Sequence, residues 1–158
     1  MSATSIDQEV VFFGFEADFV ASLRCIPMAV RFKLDLCGVK LSLKGWSRFD
    51  HETRSRCAYL PTRSADEIGR YRAFLCQAIE QVGLEPLLLP VGPEPAWDIV
   101  DEVPAQVLEK GAELGLTSDH FNGWRDLSAL QRFALLKLTR KGHENENFRP
   151  AMREFGLR

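Results

Sequence analysis

The sequence predicts an all-α fold: a single compact helical domain over residues 1–158, built from two helical repeats at about 27–75 and 104–152 related by approximate two-fold symmetry. Three observations lead there. Nearly every stretch carries apolar residues at helical spacing, and strand signals are sparse. The pattern W-x-x-[FL]-x-x-x-x-R-x-x-[CL]-x-x-L occurs twice, as WSRFDHETRSRCAYL at 46–60 and WRDLSALQRFALLKL at 124–138. Each copy follows the same frame: Pro27, Val30, Lys33 and Gly38 have the spacing of Pro104, Val107, Lys110 and Gly115. Tyr71-Arg72 and Phe148-Arg149 also fall at matching places, 77 positions apart. The interval exceeds the 20–50 residues of a solenoid unit, so it fits two copies of a subdomain.

The elements follow in order. VVFFGF at 10–15 is a candidate short strand without a partner run, and EADFVASLR at 16–24 is a first amphipathic helix. Pro27 opens the next helix and Gly38 stands just past its end, the positions each residue favours. Apolar residues cover most of that helix's wheel, which marks it as central and buried. Ser42 caps a short helix through Phe49, and Asp50 caps one running to about Leu60. Ser64-Ala-Asp-Glu67 is a capping box opening a helix that ends at Gly83. LEPLLLPVGPEP at 84–95 contains four prolines and is an extended linker between the repeats. A helix runs from Pro104 to Gly115, Thr117 or Ser118 supplies a hydroxyl cap, and a helix covers 127–140. Trp46, Phe49, Cys57 and Leu60 form one apolar stripe, and Trp124, Leu127, Leu135 and Leu138 form another. Neither copy has an obvious cover for its own stripe, so the copies are expected to pack on each other.

The totals limit function. A net charge of −2 and a pI near 5.9 lack the basic excess of a nucleic-acid binder. The first residues have no positive segment before an apolar run, and no stretch reaches the roughly 20 apolar residues of a membrane span. The expectation is a cytoplasmic chain that binds neither nucleic acid nor membrane. Cys25, Cys37, Cys57 and Cys76 form no C-x-x-C pair and fit small core residues. No phosphate-binding glycine loop, nucleophile elbow or H-E-x-x-H is present, so neither a cofactor nor a metal is expected.

Some residues stand out against this background. Lys33 points into the apolar arc of its helix, where an amine must snorkel, pair or shift its pKa. Lys137 poses the same problem in the second half. Arg54 and Arg132 recur at matching places and suit tying carbonyls or acids between helices. RKGHENENF at 140–148 is the densest polar stretch, and His143, Glu144 and Asn145 there suit either a turn or a partner contact. Cys25 precedes a helix N-terminus, which makes it a candidate reactive thiol.

FEADFVASLRCIPMAVRFKLDLCGVKLSLKGW and LQRFALLKLTRKGHENENFRPAMREFG together resemble the nitrate reductase-associated protein family, with the likeness running from Phe15 to Phe155. The resemblance implies a small accessory protein, a maturation factor that helps a molybdenum-containing assimilatory nitrate reductase become active. It implies the reductase polypeptide as partner and supplies no catalytic residues. The expected contact surface is a groove lined by Trp46 and Trp124 with Lys33, Lys137, Arg132, His143, Glu144 and Asn145. Two other readings are a small enzyme using Cys25, Lys33 or His143, and a helix-turn-helix regulator. The first requires those side chains to converge; the second requires an exposed basic recognition helix.

Overall fold

A computed structural model describes residues 12–17, 22–89, 96–140 and 146–157. The fold is all-α, with one two-stranded ribbon among the described residues. The chain divides into two compact units, Met1–Phe12 with Glu16–Val91, and Phe13–Phe15 with Gly92–Arg158. The boundary at Val91–Gly92 falls inside the proline-rich stretch.

In the first unit, α1 (Met28–Cys37) is the central helix. Pro27 precedes it, and Gly38 ends it at φ 72° with its N–H on the Leu34 carbonyl. That left-handed position is one a side chain would strain. Two residues of β1 (Val39–Lys40) follow, then α2 (Leu43–Arg48) and α3 (His51–Tyr59). The expected caps are present: Ser42 Oγ accepts from Gly45 N at 3.0 Å, and Asp50 Oδ1 accepts from Thr53 N at 2.7 Å. α4 (Ala65–Gln81) starts at Ser64, whose hydroxyl accepts from Glu67 N. The Glu67 carboxylate reaches back one residue further than a capping box does, to Arg63 N.

Three expectations change here. The stretch at 84–95 is not all linker, because Leu87–Leu88 forms β2, antiparallel to β1 with Val39 opposite Leu88. The strand expected at 10–15 is absent from its described part, where Gly14–Glu16 is a 3-10 turn. Of the helix expected at 16–24, residues 18–21 lie outside the described residues, and 22–24 are turn and irregular chain. The apolar stripe of this half is covered from within the unit: Trp46, Phe49 and Cys57 join one core with Val30 and Leu34 of α1 and Tyr71, Leu75 and Ile79 of α4.

The second unit holds a 3-10 turn at Ala96–Asp98, α5 (Ala105–Glu113), two further 3-10 turns, α6 (Ala129–Lys137) and α7 (Phe148–Glu154). α6 is shorter than the expected 127–140. Ser128 caps it in a reciprocal box with Gln131, which fixes its start. The helices α5 and α7 end alike. Gly115 and Gly156 sit at φ 80° and 82°. The following leucine N–H then bonds five residues back, Leu116 to Gly111 and Leu157 to Met152. This closure turns each leucine inward against the helix it follows. Val107, Phe121, Trp124, Phe133, Leu135, Leu138 and Phe148 make up the interior.

Candidate functional site

Lys33 lies at the C-terminal end of α3. Its side chain is 7% exposed. Nζ donates to the Ala58 carbonyl at 2.6 Å and the Leu60 carbonyl at 2.8 Å, and lies 5.9 Å from the Tyr71 ring centroid. Carbonyls at a helix C-terminus lack intrahelical partners and carry partial negative charge, so a cation suits them. The site is nonetheless buried. Burial pulls the Lys33 pKa down to about 8, against a small opposing pull from Cys57 and a push in the same direction from Arg63. Tyr71 adds a second buried polar tie, its hydroxyl donating to the Cys57 carbonyl at 2.6 Å.

Both expected groove tryptophans are interior, 0% exposed for Trp46 and 2% for Trp124. Their indole N–H groups donate to the Leu23 carbonyl at 2.7 Å and the Ile99 carbonyl at 3.1 Å. A buried tryptophan needs such an acceptor. The repeated arginines serve the same loops. Arg54 donates to the carbonyls of Trp46, Leu23 and Ser47, and Arg132 to those of Trp97 and Leu127. Arg132 is itself buried. Lys137 is half-buried, its Nζ 5.2 Å from the Phe133 ring centroid. His143, Glu144 and Asn145 lie outside the described residues.

Cys25 is half-buried, and the N-terminus of α1 beside it is served by a group the sequence did not single out. The Glu16 carboxylate, 3% exposed, accepts from Met28 N at 2.7 Å. Lys33 is held by carbonyls and is not brought to Cys25 by any of these bonds. Among the described residues, no three His, Cys, Asp or Glu side chains group as a metal site. The centre of α6, Arg132–Leu136, is buried, so this helix offers no recognition face to a duplex.

A cleft of about 520 Å³ in the second unit is lined by Leu116, His120, Arg149, Met152, Arg153 and Leu157. None of these residues was singled out for a site at the sequence level. Two weak signals exist: the Gly-Leu pairs that end α5 and α7, and two arginines four apart on α7. A smaller cleft of about 230 Å³ in the first unit is lined by Arg56, Leu60, Glu67, Arg70 and Phe74 among others.

The family model described as Conserved nitrate reductase-associated protein matches residues 12–155. The chain belongs to that family. No curated protein and no solved structure matches it. The match takes in both units, so both belong to the common design of a nitrate reductase-associated protein. No described helix of this family member is long and apolar enough to cross a membrane.

Proposed function

We propose that this protein is an accessory factor for an assimilatory molybdenum nitrate reductase, acting in the cytoplasm as a dedicated chaperone during the reductase's maturation. It binds the unfinished reductase polypeptide and holds no cofactor of its own. The observation that carries this reading is the family match over residues 12–155. The use of polar groups supports it. Lys33, Tyr71, Arg132, Trp46 and Trp124 are each spent on backbone carbonyls, which makes them scaffold and leaves binding to the surface.

The test is deletion of the gene in cells grown on nitrate, with reductase activity, reductase polypeptide and reductase-bound molybdenum all measured. The expected result is polypeptide present at low specific activity, restored by the intact gene, and co-purification of cofactor-poor reductase with the tagged protein. Full specific activity in the deletion strain refutes the reading.

A further inference from the structure

We propose that the cleft of the second unit is a docking site for a peptide segment carrying a carboxylate beside an aliphatic or aromatic side chain. Its floor is apolar: Met152 and Leu157 are buried and Leu116 is half-buried. The polar side chains that line it among the described residues, His120, Arg149 and Arg153, offer donors. Thr117 N–H donates to His120 Nδ1 at 3.0 Å, which assigns the neutral ring's proton to Nε2. No described residue accepts from that Nε2–H. Arg149 is anchored by one Nη2 bond to the Leu114 carbonyl and keeps other N–H groups to offer. The Arg153 side chain makes no hydrogen bond or ion pair with any described residue. It stands four residues from Arg149, on the same face of α7.

Two like charges at this spacing repel, and no acidic side chain lines the cleft among the described residues. An anionic guest removes that repulsion and meets planar forks suited to a carboxylate. The volume of about 520 Å³ lies within the range of built ligand sites.

The first unit indicates why the guest is a polypeptide. Gly38 and Gly115 end matching helices in the same left-handed conformation, so Val39 and Leu116 occupy matching positions. Val39 is 2% exposed in the core of its unit, and its backbone pairs with Leu88 of an extended segment. Leu116 has no such paired segment among the described residues and lines the cleft instead. An extended segment with one apolar side chain on the floor and a carboxylate at the arginines fills both needs. This is peptide capture by an arginine pair over an apolar groove. The identity of the partner as reductase rests on the function proposed above; the chemistry of the site does not.

The test pans a short random peptide library on the immobilised full chain, with Arg153→Glu as counter-selection. Arg153 is exposed and its side chain has no partner among the described residues, so its replacement is expected to leave the fold intact, checked by the melting curve. Recovered peptides are expected to carry Asp, Glu or a free C-terminus next to Leu, Ile, Met or Phe. Synthetic copies should bind Arg153→Glu about ten-fold or more weakly, as loss of a charge-assisted pair predicts. Lys44→Glu, the same charge change on the first unit, should bind like the parent. Absence of enrichment, selection of peptides without an acid, or equal binding to Arg153→Glu overturns the proposal.

Co-purification separates the two proposals. A reductase retained equally by parent and Arg153→Glu refutes the cleft and keeps the accessory role. No reductase retained, with acidic peptides still selected, does the reverse.

Discussion

Replacing Lys33 with Met should destabilise the protein more at alkaline pH than at neutral pH. The amine has a folded pKa of about 8 and an ordinary value of 10.5. Below about 8 it is protonated in both states, and the cost of burying its charge is carried in full. Between about 8 and 10.5 the folded state has released the proton and the unfolded state has not. The unfolded state then binds more protons, so the Lys33 contribution to stability rises with pH. The neutral amine still has two N–H donors for the Ala58 and Leu60 carbonyls. Each pH unit inside the window is worth about 1.4 kcal/mol, so the gain from pH 8 to 9.5 is about 2 kcal/mol. Removing the amine leaves two helix-end carbonyls short of a donor at every pH, costing about 1–3 kcal/mol, partly offset near neutrality by the relieved burial of charge. Urea melts of both proteins at pH 7.5 and 9.5, followed by tryptophan fluorescence, measure the gap. Burial raises Cys37, Cys57 and Tyr71, which lowers stability over the same range. That effect is common to both proteins and cancels in the difference. A gap of about 1 kcal/mol should widen to about 3. A gap that stays constant or narrows refutes the assignment of Lys33 as a buried, desolvated helix-end cation.

Gly69 and Gly111 should respond oppositely to alanine in thermal melts. A Cβ at Gly69 meets nothing within 4 Å on the exposed face of α4, so Gly69→Ala gains about 0.5–1 kcal/mol. A Cβ at Gly111 meets the Phe121 ring at 2.8 Å, so Gly111→Ala loses about 1–3 kcal/mol. Glu16→Ala removes the acceptor for Met28 N–H and should lower stability by about 1–3 kcal/mol in urea titration, with Glu16→Gln recovering part. Thiol titration at pH 7.5 should show two accessible cysteines, Cys25 and Cys76, and two that react only with denaturant. The latter are Cys37 and Cys57, interior, with thiols pushed up by burial to about 11 and about 12.

The helix boundaries were legible because they are set locally. Pro27, Gly38, Ser42, Asp50, Ser64, Gly83 and Gly115 each act on backbone within a few residues, and each stands at an element end. The Ser128-x-x-Gln131 box has the same kind of signature, and it moves the start of α6 to Ala129. The ribbon was not legible. Two residues carry no period, and Leu87 and Leu88 find their partners far back in the chain, with both side chains exposed. Lys33 announced itself as an oddity on its wheel, but its answer is two carbonyls on a different helix. Trp46 and Trp124 were legible as special and not as buried, since the carbonyls that satisfy them lie in irregular loops at Leu23 and Ile99. The second-unit cleft draws on the ends of three separate elements, a juxtaposition no local pattern encodes.

The correspondence between the two units extends past the repeated letters. Each tryptophan donates to a carbonyl in the loop leading into its unit's first helix of the pair, Leu23 before α1 and Ile99 before α5. Each repeated arginine ties that entering loop to the segment just before its own helix: Arg54 bonds Leu23 and Trp46, Arg132 bonds Trp97 and Leu127. Asp50 and Ser128 cap matching helices, and the interior pairs Tyr71 with Leu75 and Phe148 with Met152 stand at matching places. Chance agreement of Trp and Leu at helical spacing explains the apolar positions. It does not explain two arginines doing the same work on backbone of unrelated sequence. These ties support the proposal that the chain arose by duplication of one helical subdomain. The differences then become informative. The first copy spends a lysine and a tyrosine inside and pairs Val39 with a strand. The second has Phe148 in place of the tyrosine and leaves Leu116 facing a cleft edged by two arginines. On this view, one copy became scaffold while the other kept the surface on which a partner can act.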